Sequence, residues 1–148
     1  MTETEEEAAA ALNTYYHSVF TNDNRDSPTP AFPPQTQEIL EDIVVMEESV
    51  KEILIALNPN KAAGPDGVET KLLKECAEEM APILSDIFRK SMEEGEVPSM
   101  WREAHIIPIH KKGSKAIMAN FRPVALTSVI SKIFEKIICS AISSHGTA

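Results

Sequence analysis

The chain has 148 residues, enough for one domain or a large piece of one. It is 43% hydrophobic but only 5% aromatic, so its core must be mainly aliphatic, and its net charge of −9 argues against a uniformly basic, free-standing nucleic-acid binder. No run approaches the roughly 18 apolar residues of a membrane span, and MTETEEE is the opposite of a signal-peptide start. A soluble intracellular protein is expected, in nucleus or cytoplasm. Cys76 and Cys139 fit no metal or redox spacing and read as core thiols.

Charge is unevenly placed. Residues 1–48 hold 11 acidic and one basic side chain, a net of −10, whereas residues 101–148 hold seven basic and two acidic, a net of +5. The overall balance hides a basic C-terminal third, and segment charge is the better guide to partners.

Glu5 to Phe20 reads as a helix: three glutamates favour its positive end and four alanines follow. Leu12, Tyr15, Tyr16, Val19 and Phe20 make an apolar stripe, read as a docking face. Thr21 to Gln37 carries Pro28, Pro30, Pro33 and Pro34 and reads as a mobile linker. The expected division is therefore an acidic helix and Pro-rich linker over 1–37, then a second region over 38–148. Val44-Val45-Met46 suggests a short strand. A helix starts at Glu47, with Val50, Ile53, Leu54 and Leu57 on one face, and Asn58-Pro59-Asn60 ends it.

Lys61 to Gly67, KAAGPDG, is a turn cluster in which Pro65 presets φ, Asp66 can close a side-chain turn, and Gly64 and Gly67 permit close approach or positive φ. It is either a connection between helices or a loop that lets a nucleic-acid backbone come near; glycines alone do not separate the two. Residues 69–79 and 81–94 form a helical pair or one interrupted helix, with Leu72, Leu73, Cys76, Met80, Ile83, Leu84, Ile87, Phe88 and Met92 apolar. Pro82 suits the first turn of a new helix, and Gly95 suits a C-cap. Trp101 reads as a core anchor at the base of the sheet that follows.

Ala104–His110 and Phe121–Leu126 read as two strands around a basic loop holding Lys111, Lys112, Gly113 and Lys115, with Arg122 opening the return strand. Cations so placed can reach a phosphate chain, Arg as a fork and Lys as a point charge. A solvated tip is the ordinary alternative. If strand geometry continues, only one of Lys111 and Lys112 faces a given ligand. His17, His105 and His110 have poor metal-ligand spacing, and no metal site is expected from them. His110 can add a donor near phosphate. Val129 to Ile142 is the last helix, with a broad apolar face that needs neighbours.

Four stretches in order carry a resemblance: KAAGPDGV (61–68), LLKE (72–75), LSDIFRKSMEEGEVPSMWREAHIIPIHKKG (84–113) and NFRPVALTSVISKIFEKII (120–138). LNTYYHSVFT (12–21) is a looser fifth. Together they resemble the fingers and start of the palm of reverse transcriptases from non-LTR (LINE-type), jockey-like retrotransposons. The resemblance implies an α+β fold, mostly helical with a small antiparallel hairpin and a flexible N-terminal arm. It implies RNA-directed DNA synthesis, with RNA template, primer DNA and deoxynucleoside triphosphate as partners. Lys111 or Lys112, together with Arg122, falls where the family contacts the triphosphate; Lys61, Gly64, Asp66 and Gly67 form a possible template-side loop.

Chemistry of that kind uses two metal ions held by carboxylates. The family supplies them from an Asp-bearing strand and a later Tyr-x-Asp-Asp turn. Here the last Asp is Asp86, and after Glu103 the only carboxylate side chain is Glu135. Neither Asp66 nor Asp86 matches the catalytic motifs. The expectation is a polymerase fragment with no catalytic residue of its own, inactive in isolation, with Mg²⁺ belonging to the full-length polymerase and absent palm segments packing on the last helix. The alternative is a non-catalytic nucleic-acid-binding or protein-interaction protein derived from such a fragment.

Overall fold

The computed structural model describes residues 4–20 and 42–145. The Pro-rich stretch read as a linker lies outside the described residues. The architecture is α+β, mostly helical, with one two-stranded antiparallel sheet. The chain forms two compact units: the first helix with residues Ile106–Ala125, and the remaining helices with their connections.

In the first unit, α1 spans Glu5–Val19. The Thr4 hydroxyl caps it by accepting the Glu7 N–H at 3.2 Å, and Glu5, Glu6 and Glu7 complement the helix dipole. Of the expected stripe only Tyr16 is buried; Phe20 is 68% exposed. The strands are β1 (Ala104–His110) and β2 (Phe121–Thr127), the second one residue longer than the pattern predicts. Their first and last residues, respectively, run into the second unit.

The second unit holds α2 (Glu47–Ile55), α3 (Thr70–Glu75), α4 (Ala77–Glu94) and α5 (Val129–His145). Val50 and Leu54 of α2, Leu73 of α3, Leu84 and Phe88 of α4, and Ile133, Phe134 and Ile137 of α5 build one core. Phe88 stacks on Phe134 with ring centroids 5.0 Å apart, and Trp101 lies 5.9 Å from each. Trp101 is thus the expected anchor, held in a 3₁₀ turn (Ser99–Arg102) and packed on helices.

Four expectations need correction. Val44-Val45-Met46 forms no strand; Val45 packs into the core, and among the described residues no strand pairs with it. The break between the paired helices falls at Cys76, so Pro82 lies inside α4. The carbonyl that Pro82 cannot serve belongs to Glu78, an exposed residue that water reaches. The buried face of α4 is Ala77, Ala81, Leu84, Ser85, Phe88 and Ser91, while Ile83 and Ile87 are exposed. Small side chains let neighbouring helices approach closely, and the bulkier isoleucines lie outside the contact. Ser85 satisfies its buried hydroxyl by donating to the Ala81 carbonyl at 2.7 Å. Cys139 is exposed on α5, so only Cys76 is partly in the interior. Gly95 caps α4 in the left-handed region (φ 66°), as predicted.

Candidate functional site

The hairpin loop is braced from within. Gly113 has φ 78°, and a Cβ there would lie 2.7 Å from Asn120 Nδ2. Asn120 Nδ2 donates to the Ser114 carbonyl at 2.8 Å, and the Ala116 N–H donates to Ser114 Oγ at 3.2 Å. His110 Nε2 lies 3.0 Å from the Gly113 carbonyl, a contact that requires the proton on Nε2. His110 therefore closes the turn and packs edge-on against Phe121, with centroids 5.3 Å apart.

Just past the end of β1, the Lys111 N–H donates to the Asn120 carbonyl at 2.8 Å. This sets the register: Ile109 opposes Arg122, Pro108 opposes Pro123 and Ile107 opposes Val124. One face of the hairpin carries Ile106, Pro108 and Pro123, which line a 180 Å³ cavity with Leu12, Tyr16 and Phe20 of α1. Alternation puts Ile107, Ile109, Arg122 and Val124 on the other face. The ladder continues one residue beyond β1, so Lys111 shares the face of Arg122, in the diagonal position about 7–8 Å away. Lys112 lies in the turn. Lys115 lines a separate 410 Å³ groove with Ala8, Ala11 and Leu12. Lys111, Lys112, Lys115 and Arg122 are all exposed, and none has a hydrogen-bond or ion-pair partner for its side chain among the described residues.

The loop from Lys61 to Gly67 is pinned in the helical unit. The Thr70 hydroxyl donates to the Lys61 carbonyl at 3.1 Å, and Asp66 Oδ1 accepts the Val68 N–H at 3.3 Å. Ser128 Oγ donates to Asp66 Oδ2 at 2.5 Å and accepts the N–H groups of Ile130 and Ser131 at the start of α5. Gly64 is buried; a Cβ there would lie 2.6 Å from the backbone of Thr127 and Ser128. The close approach that this glycine permits is to the chain's own backbone, and Asp66 also turns inward. Lys61 and Gly67 are exposed. Sequence reasoning missed Ser128 as the partner of Asp66, although a serine just before an apolar helical run is an N-cap signal.

Among the described residues no group of three or more His, Cys, Asp or Glu side chains is placed to hold a metal ion. No helix among the described residues is long and apolar enough to cross a membrane.

No protein-family model matches the chain. Individual relatives do, and all come from mobile elements, several of them RNA-directed DNA polymerases. The chain is 29% identical over 96 residues to the "RNA-directed DNA polymerase from mobile element jockey" of Drosophila melanogaster, which covers 64% of the chain and 10% of that protein. It is 30% identical over 96 residues to the "Probable RNA-directed DNA polymerase from transposon X-element" of the same fly, covering 64% of the chain and 11% of that protein. It is 27% identical over 143 residues to the "Transposon TX1 uncharacterized 149 kDa protein" of Xenopus laevis, covering 88% of the chain and 10% of that protein. The chain is thus homologous to the polymerases of jockey-like non-LTR retrotransposons, and it spans about a tenth of the length of these relatives.

Proposed function

We propose that this chain is a fingers-type segment of a retrotransposon reverse transcriptase that contacts the triphosphate of an incoming nucleotide. Arg122 and Lys111 form the contact surface, with Lys112 beside them at the turn. The observation that carries this reading is their shared exposed face: two cations without partners, on a braced hairpin, in a chain of net charge −9. Fixed cations stabilise charge that grows on a leaving pyrophosphate and so lower the barrier to transfer. RNA template and primer DNA would pass the same hairpin in the complete polymerase. The loop at Lys61–Gly67 contributes at most Lys61 and Gly67 to a template, since Gly64 and Asp66 are engaged internally. The catalytic metals would be held by carboxylates outside this chain, in palm segments that also pack on α5. Primer extension by the purified 148-residue chain is accordingly not expected.

The test is binding of a fluorescent deoxynucleoside triphosphate, and of a single-stranded RNA oligonucleotide, at low and high salt. Arg122→Ala is expected to weaken triphosphate binding by about 10- to 150-fold, the loss of one charge-assisted contact of about 1.5–3 kcal/mol, and to flatten the salt dependence. Unchanged affinity and unchanged salt slope would remove the hairpin from the contact surface. Binding of RNA with no triphosphate binding would favour the alternative, a non-catalytic nucleic-acid-binding derivative.

A further inference from the structure

Among the described residues the sheet has only two strands, so both are edge strands. An edge strand offers a row of outward N–H and C=O groups to any other extended chain. Here the register decides which groups those are. The Lys111–Asn120 pair is hydrogen-bonded, so the odd residues of β1 and the even residues of β2 turn their amides inward. Within the first unit (Ile106–Ala125) the outward donors of β1 fall at Ile106, position 108 and His110, and those of β2 at Phe121, position 123 and Ala125; Ala104 and Thr127, also outward, lie in the second unit. Positions 108 and 123 are both proline, and they oppose each other across the ladder.

Neither proline costs the hairpin a hydrogen bond, because neither position donates inward. Each deletes the middle outward donor of its own edge. On β1 the remaining donors at Ile106 and His110 are four residues apart, about 13 Å. On β2 the loss is larger: the Phe121 N–H is already spent on the Met118 carbonyl of the preceding 3₁₀ turn (Met118–Asn120). The hairpin also exposes apolar side chains that would reward a strand laid alongside it, with Ile107 44% and Ile109 51% exposed. The apolar incentive for strand addition is present, while the row of donors that strand addition needs is interrupted on both edges.

We propose that the Pro108–Pro123 pair is a device that closes both edges of this hairpin to strand addition. The test compares the wild-type chain with Pro108→Val, Pro123→Val and the double variant. Sedimentation velocity over a concentration series reads association, and the amide I infrared band reads intermolecular sheet. The double variant is expected to associate about tenfold more tightly, the equivalent of roughly one regained backbone hydrogen bond per edge, with an intermolecular sheet band. Association must survive Ile107→Lys and Ile109→Lys added to the double variant. Unchanged sedimentation of a double variant with native circular dichroism would overturn the proposal. So would association that the two lysines abolish, since contact would then run through the face. If the valine pair loses its native spectrum, Pro108→Ala with Pro123→Ala restores both N–H groups with less added bulk, and the same readouts decide.

Discussion

The two units treat isoleucine differently: the helical unit buries some of its isoleucines, and the hairpin unit buries none among its described residues. In the helical unit Ile133 and Ile137 are buried beside Phe134, within a core drawn from four helices. In the hairpin unit Ile106, Ile107, Ile109 and Ile117 are each at least 44% exposed, and Tyr16 is the one buried hydrophobic side chain among its described residues. A two-stranded sheet on its own is marginal in water. Here local bonds around Gly113, Ser114 and Asn120 fix the turn, where burial does that work in the helices. The difference teaches that the helices are specified by packing and the hairpin by its turn and register.

The comparison breaks most readily at equivalent apolar truncations. Phe88→Ala removes the ring that meets both Trp101 and Phe134. It should cost about 3–5 kcal/mol in urea unfolding followed by helical circular dichroism. Ile107→Ala, on the exposed face, should stay within about 0.5 kcal/mol. If the two costs were similar, the hairpin would depend on burial after all.

Two glycines sharpen the contrast. Gly64→Ala drives a methyl group into the backbone of Thr127 and Ser128, where no flexible side chain can give way. Overpacking of that kind costs about 1–3 kcal/mol, and it should fall on the helical unit. Gly113→Ala meets the Asn120 side chain, which can move, but it keeps a positive φ. Its cost of about 1–2 kcal/mol should be confined to the turn. Hydrogen exchange distinguishes them: amides near Ser128 and the start of α5 open first in one variant, and Lys111 in the other.

Much of this contrast is legible before any coordinates. Alternation and the basic loop place β1 at its observed bounds, Gly95 ends α4, and the acidic turn starts α1. These are local signals, set by backbone geometry within a few residues. Which face of α4 is buried is not local. Ile83 and Ile87 are more hydrophobic than Ala77, Ala81 and Ser91, yet the small residues lie inside. The hydrophobic pattern reports what prefers burial, while helix packing selects what permits close approach. The Asp66–Ser128 contact joins positions 62 residues apart, and no periodicity marks such a pair. For the candidate site, the sequence singles out Arg122 and the lysines by charge. Only the pairing of Lys111 with Asn120 places Lys111 on the face of Arg122.

The smallest expected effect concerns a long-range ion pair of the helical unit, Lys51 Nζ to Glu78 Oε1 at 2.8 Å, between α2 and α4. The hydrogen bond that Lys51 donates to Glu78 raises the Lys51 pKa above the usual lysine value, outweighing desolvation, with the charges of Glu78, Glu48 and Glu47 adding to the shift. A raised folded-state pKa means that the ammonium form is favoured by folding. The contribution is complete below the unfolded-state value and is lost as pH rises through the folded-state value. Lys51→Met should therefore lose a small stabilisation at neutral pH, as expected for a pair with one well-exposed partner. The gap between wild type and variant should close as pH rises from about 9 to about 12. The difference between their urea midpoints isolates Lys51 from the tyrosines and other lysines that titrate over the same range. A gap that persisted at the alkaline end would mean that Lys51 acts through its aliphatic stem packed between helices. The tie between α2 and α4 would then be one more instance of burial holding the helical unit together.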